Sequence, residues 1–449
     1  MGLIKKIVGR ITQKGFARNV VTLMMGTAFS QALLILATPF LTRLYSPEEF
    51  GIYGSFLSIA AILTVIISLR YELAIVLPKS NKEAKGLVLL SLIIATGFTV
   101  LLFVIILLFG EKLSTHFQWL KIEYLYFIPP YVFLVGMYQI INYWLTRVKG
   151  FNSLAIAQTG RSLSTISIQL FTGLVLLLGA YGLIVGQLIG QLIAVTFLLF
   201  IIYREGVNTK SEITNLKEIK ALAKKYKDFP LYSSWNSFIN TISLQVPIII
   251  LTFYFSASSA GFYMLGHRLV SMPMGLISSS ISQVFLQKLS FDKVNKNKIK
   301  SSFKLWKYLH PLSALVSILV ILLAPSAFSI IFGEEWIVAG EYARWIALWT
   351  LFQFVASPLS SISFTYNKQR LFLGFQIVLL ILRIASLVIG GIQGSPIIAI
   401  ALFSVVSGLF NLVTTGMYIY IEAGKKEALV ATFVNLITFL ALLVVVILF

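Results

Sequence analysis

The 449-residue sequence has no cysteine, three histidines, and 16 acidic residues against 36 Lys and Arg. Without cysteine there is no disulfide, iron–sulfur cluster or thiolate zinc site, and His116, His267 and His310 are too scattered to build a metal centre. No cofactor and no metal are expected. The phosphate-cradling string GxxxxGK[ST] does not occur, which excludes an ATP-driven pump of that type, and HExxH is absent too. Charge is also scarce, at 12% of residues, where a soluble domain carries about 25%.

Apolar residues fill that gap. They make up 58% of the chain and raise its mean hydropathy to +0.91. Thirteen apolar runs follow one another, at about 20–41, 50–69, 86–109, 124–146, 153–178, 181–202, 231–254, 261–287, 308–332, 340–365, 371–391, 396–421 and 428–449. Each is long enough to be a spanning helix, and the expected fold is an all-α polytopic membrane protein. Placing the N-terminus in the cytoplasm puts 29 of the 36 basic residues on alternate, inside segments and three, Arg43, Lys112 and Lys121, in outside loops. Topology therefore accounts for the net charge of +20, and no nucleic-acid partner is expected. The outside loops are too short for a catalytic domain. The longest inside segment, 204–229, repeats apolar residues at Leu216, Ile219, Leu222 and Ala223, the spacing of an amphipathic surface helix with its lysines near anionic lipid headgroups.

That segment divides the chain into halves of six runs. Residues 41–56 (LTRLYSPEEFGIYGSF) and 251–266 (LTFYFSASSAGFYMLG) align without gaps at an offset of 210, with identities at Leu, Thr, Ser, Gly and Tyr. Each lies at the turn between the first two helices of its half, so the expected relation is a parallel repeat. The expected organisation is a lobe at 1–203, a linker at 204–229, a second lobe at 230–422 and an extra C-terminal helix at 423–449, with a cavity central to the two lobes.

All sixteen acidic residues fall in loops or near helix ends, which argues against a carboxylate-coupled cation exporter. Basic residues do occur inside the runs. Arg383 is about twelve residues into the eleventh run, roughly 18 Å deep at 1.5 Å per residue. A central Arg costs about 2.5–3.5 kcal/mol on insertion scales and needs a cavity or a partner, and an anion suits its planar fork. Arg161 and Arg268, about eight residues from a run end, are open to the same reading or to snorkelling. Arg70 and Arg147, at helix ends, complete the set of candidate substrate-binding arginines, with snorkelling to the interface as their default reading. Among the intramembrane amides, Gln31, Gln187 and Gln245 are candidate sugar contacts, with interhelical hydrogen bonding as the alternative.

Residues 26–80 (GTAFSQALLILATPFLTRLYSPEEFGIYGSFLSIAAILTVIISLRYELAIVLPKS), the stretch 226–290 beginning YKDFPLYSSWNSF, and 333–349 (GEEWIVAGEYARWIALW) resemble bacterial oligosaccharide flippases. These are the polysaccharide transporter branch of the multidrug/oligosaccharidyl-lipid/polysaccharide (MOP) superfamily, and the likeness extends over nearly the whole chain. It implies a non-enzymatic protein of the bacterial inner membrane that moves undecaprenyl-pyrophosphate-linked oligosaccharide outward by alternating access, for O-antigen or capsule synthesis. A polysaccharide polymerase and a chain-length regulator are the further partners it implies. Arg268, within GHRLVSMP, matches a position where related peptidoglycan precursor flippases carry a cavity-facing Arg. Arg70 and Arg161 carry over less closely. The thirteenth run departs from the twelve- and fourteen-helix patterns of such proteins. A peptidoglycan precursor flippase, a cation-coupled multidrug exporter and a membrane polymerase or ligase are the alternatives.

Overall fold

The structure, a computed structural model, describes residues 25–116, 121–204, 215–294 and 300–449. The basic residues Lys5, Lys6, Arg10, Lys14, Arg18, Lys210, Lys296 and Lys298 lie outside these. Among the described residues every regular element is helical. In lipid a spanning segment has to satisfy its backbone donors and acceptors internally, and a helix does so.

The first six long helices are α1 (Met25–Leu44), α2 (Pro47–Ile66), α3 (Asn81–His116), α4 (Ile122–Arg147), α5 (Phe151–Leu174) and α6 (Ala180–Arg204), with a 3₁₀ turn at Tyr71–Val76. The short α7 (Leu216–Lys225) follows, started by Asn215, whose Oδ1 accepts from Lys217 N at 3.0 Å. The second series is α8 (Ser234–Tyr254), α9 (Ala257–Val294), α10 (Ser301–Phe332), α11 (Ile337–Leu359), the one-turn α12 (Ser361–Thr365), α13 (Gln369–Ile392), α14 (Pro396–Ala423) and α15 (Lys425–Leu448). Twelve described helical segments are long and apolar enough to cross a membrane, so this is a multi-pass membrane protein.

The fifth of the thirteen expected spans, 153–178, departs from that expectation. It does form a helix, but α5 stops at Leu174, and the apolar Val175, Leu176, Leu177 and Leu178 are exposed in a turn where Leu177 and Gly179 have φ of 50° and 57°. What remains helical carries Gln158, Arg161 and Gln169 and falls short of spanning hydropathy. It nevertheless runs beside α6. A Cβ on Gly182 would lie 2.6 Å from Thr172 Oγ1, one on Gly186 2.5 Å from Gln169 Cγ, and one on Gly190 2.0 Å from Thr165 Oγ1. Rising numbers on one helix against falling numbers on the other make an antiparallel pair in close contact over three levels. The polar face of α5, Ser162, Thr165, Gln169 and Thr172, is buried, and Gln169 Nε2 donates to Leu183 O at 2.9 Å. Packing, not hydropathy, places this helix.

The chain forms two compact units, Met1–Tyr45 with Phe56–Thr241, and Ser46–Ser55 with Ile242–Phe449. In the second, α11 is buried along almost its whole length and α9, α10 and α14 pack around it. The helix α15 packs on α10 and α14, with Trp306 Nε1 donating to Asn435 Oδ1 at 3.0 Å and His310 Nε2 3.1 Å from Thr438 Oγ1.

The offset of 210 is visible in the geometry of this unit. Ser46 and Glu49 cap α2 reciprocally, Ser46 N donating to Glu49 Oε2 at 2.7 Å and Glu49 N to Ser46 Oγ at 3.3 Å. At the equivalent place Ser256 Oγ accepts from Ser259 N at 3.1 Å to start α9. Where the two helices cross, a Cβ on Gly51 would lie 1.6 Å from Ala257 O, and one on Gly261 1.9 Å from Pro47 O. Residue 51 meets residue 47 + 210, and residue 51 + 210 meets residue 47. Such reciprocity is the signature of a two-fold contact, here made backbone to backbone through small residues four apart.

Candidate functional site

In the first unit, Arg161 is ten residues into α5, about 15 Å from its start. Its Nη1 donates to Gln191 Oε1 on α6 at 3.1 Å, and its guanidinium lies 5.3 Å from the centre of the Tyr138 ring on α4. Gln191 Nε2 in turn donates to Leu134 O at 3.4 Å, and Gln187 Nε2 to the Tyr131 hydroxyl at 3.0 Å. The buried Oε1 of Gln31, on α1, has no hydrogen-bond partner among the described residues. Arg161 is thus steered by neutral groups and no ion pair with a described carboxylate offsets its charge, an arrangement able to receive an anion.

Arg70 and Arg147 occupy a different place, the turn between α2 and α3. Arg147 Nη1 donates to Pro78 O at 2.6 Å and Ile75 O at 3.4 Å, and Nη2 to Asn81 Oδ1 at 3.2 Å and Ser80 O at 3.3 Å. Four acceptors in one loop account for this residue as a clamp. Arg70 Nη2 donates to Ser237 Oγ on α8 at 2.8 Å, and Nη1 reaches Glu72 Oε1 at 3.5 Å. Glu72 accepts a short hydrogen bond from Ser68 Oγ and is 1% exposed, the one buried carboxylate among the described residues.

In the second unit, Arg383 is 3% exposed, fourteen residues into α13. Nε donates to Ser407 Oγ at 2.9 Å, Nη1 to Ser243 Oγ at 2.8 Å, and the guanidinium lies 5.3 Å and 5.0 Å from the Trp349 and Phe403 ring centres. His267 stacks between Tyr263 and Trp349 at centroid distances of 5.6 and 5.8 Å. A crevice of about 170 Å³ opens beside this stack, lined by His267, Ser271, Trp349 and Gln353. Gln353 Oε1 accepts from Asn411 Nδ2 at 3.3 Å, and Ser271 Oγ and Trp349 Nε1 are buried without partners among the described residues. Gln245, on α8, is half-buried. Arg268, eleven residues into α9, is half-buried too, and it makes no hydrogen bond or ion pair with any described residue.

The structure therefore separates the five arginines. Arg147 is consumed by a loop, Arg70 by Glu72 and Ser237, Arg383 by two serines and two rings, and Arg161 in part by Gln191, whereas Arg268 has Tyr53 as an electrostatic neighbour but no hydrogen bond or ion pair with a described residue. Three partners were out of reach of sequence reasoning: the serine pair and aromatic faces around Arg383, the histidine stack, and the burial of Glu72. Serine and phenylalanine are too common in these helices to signal a role, and Glu72 sits in what reads as an exposed loop.

The sequence profile of a family described as polysaccharide biosynthesis protein matches residues 40–341, two thirds of the chain. The chain belongs to that family. The succinoglycan biosynthesis transport protein ExoT of Rhizobium meliloti is 23% identical over 349 residues, which are 75% of this chain and 67% of ExoT. Among solved structures, the lipid II flippase MurJ in an inward closed conformation superposes with a TM-score of 0.70 at 16% identity, covering 95% of this chain and 96% of MurJ. An inward-facing multidrug resistance MATE family transporter of the MOP superfamily gives 0.65 at 15% identity, covering 92% and 95%. At those identities the likeness is one of fold, and the fold is that of MOP transporters. This member of the polysaccharide biosynthesis family is a membrane protein with a flippase-like fold, and the relatives matched are named as transport proteins and flippases, not enzymes.

Proposed function

We propose that the protein moves undecaprenyl-pyrophosphate-linked oligosaccharide repeat units from the cytoplasmic to the outer leaflet of the bacterial inner membrane, by alternating access and without chemical conversion, for O-antigen or capsular polysaccharide synthesis. The observation that carries this reading is Arg268, a guanidinium about 16 Å along a membrane helix that makes no hydrogen bond or ion pair with a described residue and has Tyr53 as its electrostatic neighbour. Keeping such a group at that depth costs several kcal/mol unless an anion completes it, and a pyrophosphate offers oxygens that a planar fork binds in pairs. Each charge-assisted hydrogen bond would contribute about 1.5–3 kcal/mol. Arg161 and Arg383, already steered by neutral groups, are the further contacts for phosphate, and Gln31, Gln187 and Gln245 those for sugar hydroxyls. In this reading the lobes are 1–203 and 230–422, joined by the cytoplasmic linker 204–229, with 423–449 as an added helix. The N-terminus is cytoplasmic, and the polymerase and chain-length regulator of the same polysaccharide act on the delivered unit. Its membership in a polysaccharide biosynthesis family supports the sugar-bearing substrate.

A deletion strain tests the proposal. The lipid-linked unit is expected to accumulate complete and inaccessible to a sugar-modifying reagent added outside the inner membrane. Accumulation of accessible units would place the block at polymerisation or ligation, and accumulation of peptidoglycan precursor would change the substrate.

A further inference from the structure

The turn between α2 and α3 holds a feature that substrate binding does not use. Leu69 and Arg70 are consecutive non-glycine residues with φ of 50° and 63°, a left-handed stretch that L side chains adopt at a cost and that persists only where its surroundings enforce it. The enforcement comes from several helices. Arg147 of α4 clamps the following carbonyls, the Tyr71 hydroxyl donates to Ala223 O of α7 at 3.0 Å, and Arg70 reaches Ser237 of α8. The strained turn carries Ser68 and Glu72 into a dry site, at 2% and 1% exposure. There the carboxylate accepts hydrogen bonds from Ser68 and from its own backbone N–H, and its single counter-ion donates at the long distance of 3.5 Å while being shared with Ser237 at 2.8 Å. Arg70 is itself incompletely satisfied, since its buried Nε has no acceptor among the described residues.

We propose that Glu72 is a proton-binding group of the transport cycle, ionised while Arg70 sits on its carboxylate and protonated when Arg70 is held by Ser237 alone. The inference rests on the transport reading and adds to it the coupling ion, which the sequence leaves open. The step moves one proton. It comes from water on the face which that reading makes cytoplasmic, reaching Glu72 past the partly exposed Arg70, and it adds to the carboxylate oxygen that Arg70 vacates. It leaves by the same route when the ion pair re-forms. Burial pushes the Glu72 carboxyl above the usual carboxylate range, outweighing the Ser68 hydrogen bond and the Arg70 charge, so proton uptake comes within reach of milder pH. The titratable neighbours do not neutralise it otherwise. Besides Arg70, Tyr143 of α4 faces the carboxylate, Arg147 is turned onto the loop carbonyls, and Glu83 of α3 pairs with Lys225 of α7. The mechanical consequence lies in α8, the helix in which the chain passes from the first unit to the second. An ionised Glu72 competes with Ser237 for Arg70, and a protonated one does not.

The test uses the full-length protein in two assays. Infrared difference spectra of purified wild type between neutral and mildly acidic pH are expected to show a protonated-carboxyl band titrating above the ordinary carboxylate range. The band should be lost in Glu72→Gln, kept in Glu72→Asp, and shifted to still higher pH in Ser68→Ala, which removes a hydrogen bond from the ionised form. In cells, an ionophore that exchanges protons for potassium should lower delivery of lipid-linked sugar to the outer leaflet by wild type and Glu72→Asp but leave Glu72→Gln unresponsive. An unchanged band in the Gln variant, or an ionophore response in that variant equal to that of wild type, overturns the proposal. If Glu72→Gln fails to reach the membrane, the direction of the Ser68→Ala shift decides in its place. Failure of the transport reading is distinguishable, because a deletion strain would then accumulate no inaccessible lipid-linked sugar while the infrared assay still reports on the proton site.

Discussion

Replacing Gly51 by alanine adds one carbon where α2 crosses α9, and the consequence can be worked from the crossing. The new Cβ would stand 1.6 Å from Ala257 O, whereas a carbon and a carbonyl oxygen rest at about 3.3–3.6 Å. The obstacle is backbone, which no rotamer change removes, so the helices must part by about 1.5 Å or more. Overpacking of this kind costs about 1–3 kcal/mol, and loss of close Cα–H···O contacts about 0.5–1 kcal/mol each, against about 1 kcal/mol returned by the better helix propensity of alanine. A net loss of about 1–3 kcal/mol is expected, read as a lower melting temperature in detergent. The two-fold relation makes a second demand. Gly261→Ala, whose Cβ would meet Pro47 O at 1.9 Å, should cost a similar amount. The double variant should cost less than the two together, because one separation relieves both clashes. Gly97→Ala is the control, since no described atom lies within 4 Å of its Cβ position and the variant should be as stable as wild type or more so. Gly51→Ala behaving like Gly97→Ala, or strict additivity of the pair, would refute the reciprocal close contact.

Arg268→Ala should abolish export without lowering stability, and should raise the melting temperature where no anion is bound, because the guanidinium makes no hydrogen bond or ion pair with a described residue. Arg147→Ala should do the reverse, lowering stability by about 1–3 kcal/mol through four lost carbonyl and amide contacts; equal effects of the two on melting would contradict the assignment. Arg383→Met removes a buried charge bound only to neutral groups, so the protein should stay in the membrane with export lost, and wild-type export by this variant would take Arg383 out of the site. The raised value of Glu72 fixes the sign of a pH effect. Its stability contribution is complete below the unfolded carboxylate value and is lost as pH rises through the folded one. Relative to Glu72→Gln, wild type should therefore gain melting temperature as pH falls from neutral towards the ordinary carboxylate range, and a constant difference would argue against it.

The helices themselves were legible because each reports its own solvent. A run such as 428–449 needs no neighbour to be read as spanning, and α15 forms there. The stretch 153–178 shows where this fails. Its apolar count includes Val175 to Leu178, which the chain spends on a turn, and the helix that remains is held by the glycine face of α6, a contact 10–25 residues away in sequence that hydropathy does not register. The candidate site divides in the same way. Arginine inside an apolar run is conspicuous, so Arg161, Arg268 and Arg383 stand out, but nothing in the sequence separates the paired from the unpaired. Arg383 is engaged by Ser243 and Ser407, 140 and 24 residues distant, and Arg268 makes no hydrogen bond or ion pair with a described residue. Glu72 read as one more loop acid because exposure is a property of the fold around a loop.

Composition and periodicity by themselves determined that this is a helical multi-pass membrane protein without cysteine chemistry, and a five-residue match at an offset of 210 singled out the two segments that meet reciprocally at Gly51 and Gly261. Those properties follow from local free energies of transfer and from the chain's own periodicity. The tertiary structure decided which polar groups are satisfied. It placed Ser46 and Ser256 at equivalent helix starts, brought Gly51 and Gly261 into reciprocal backbone contact, buried Glu72 behind Arg70, and left Arg268 without a hydrogen bond or ion pair to a described residue. Satisfaction depends on atoms brought together from distant parts of the chain, and in a low-dielectric interior the difference between a paired and an unpaired charge is several kcal/mol, enough to separate a structural clamp from a binding group.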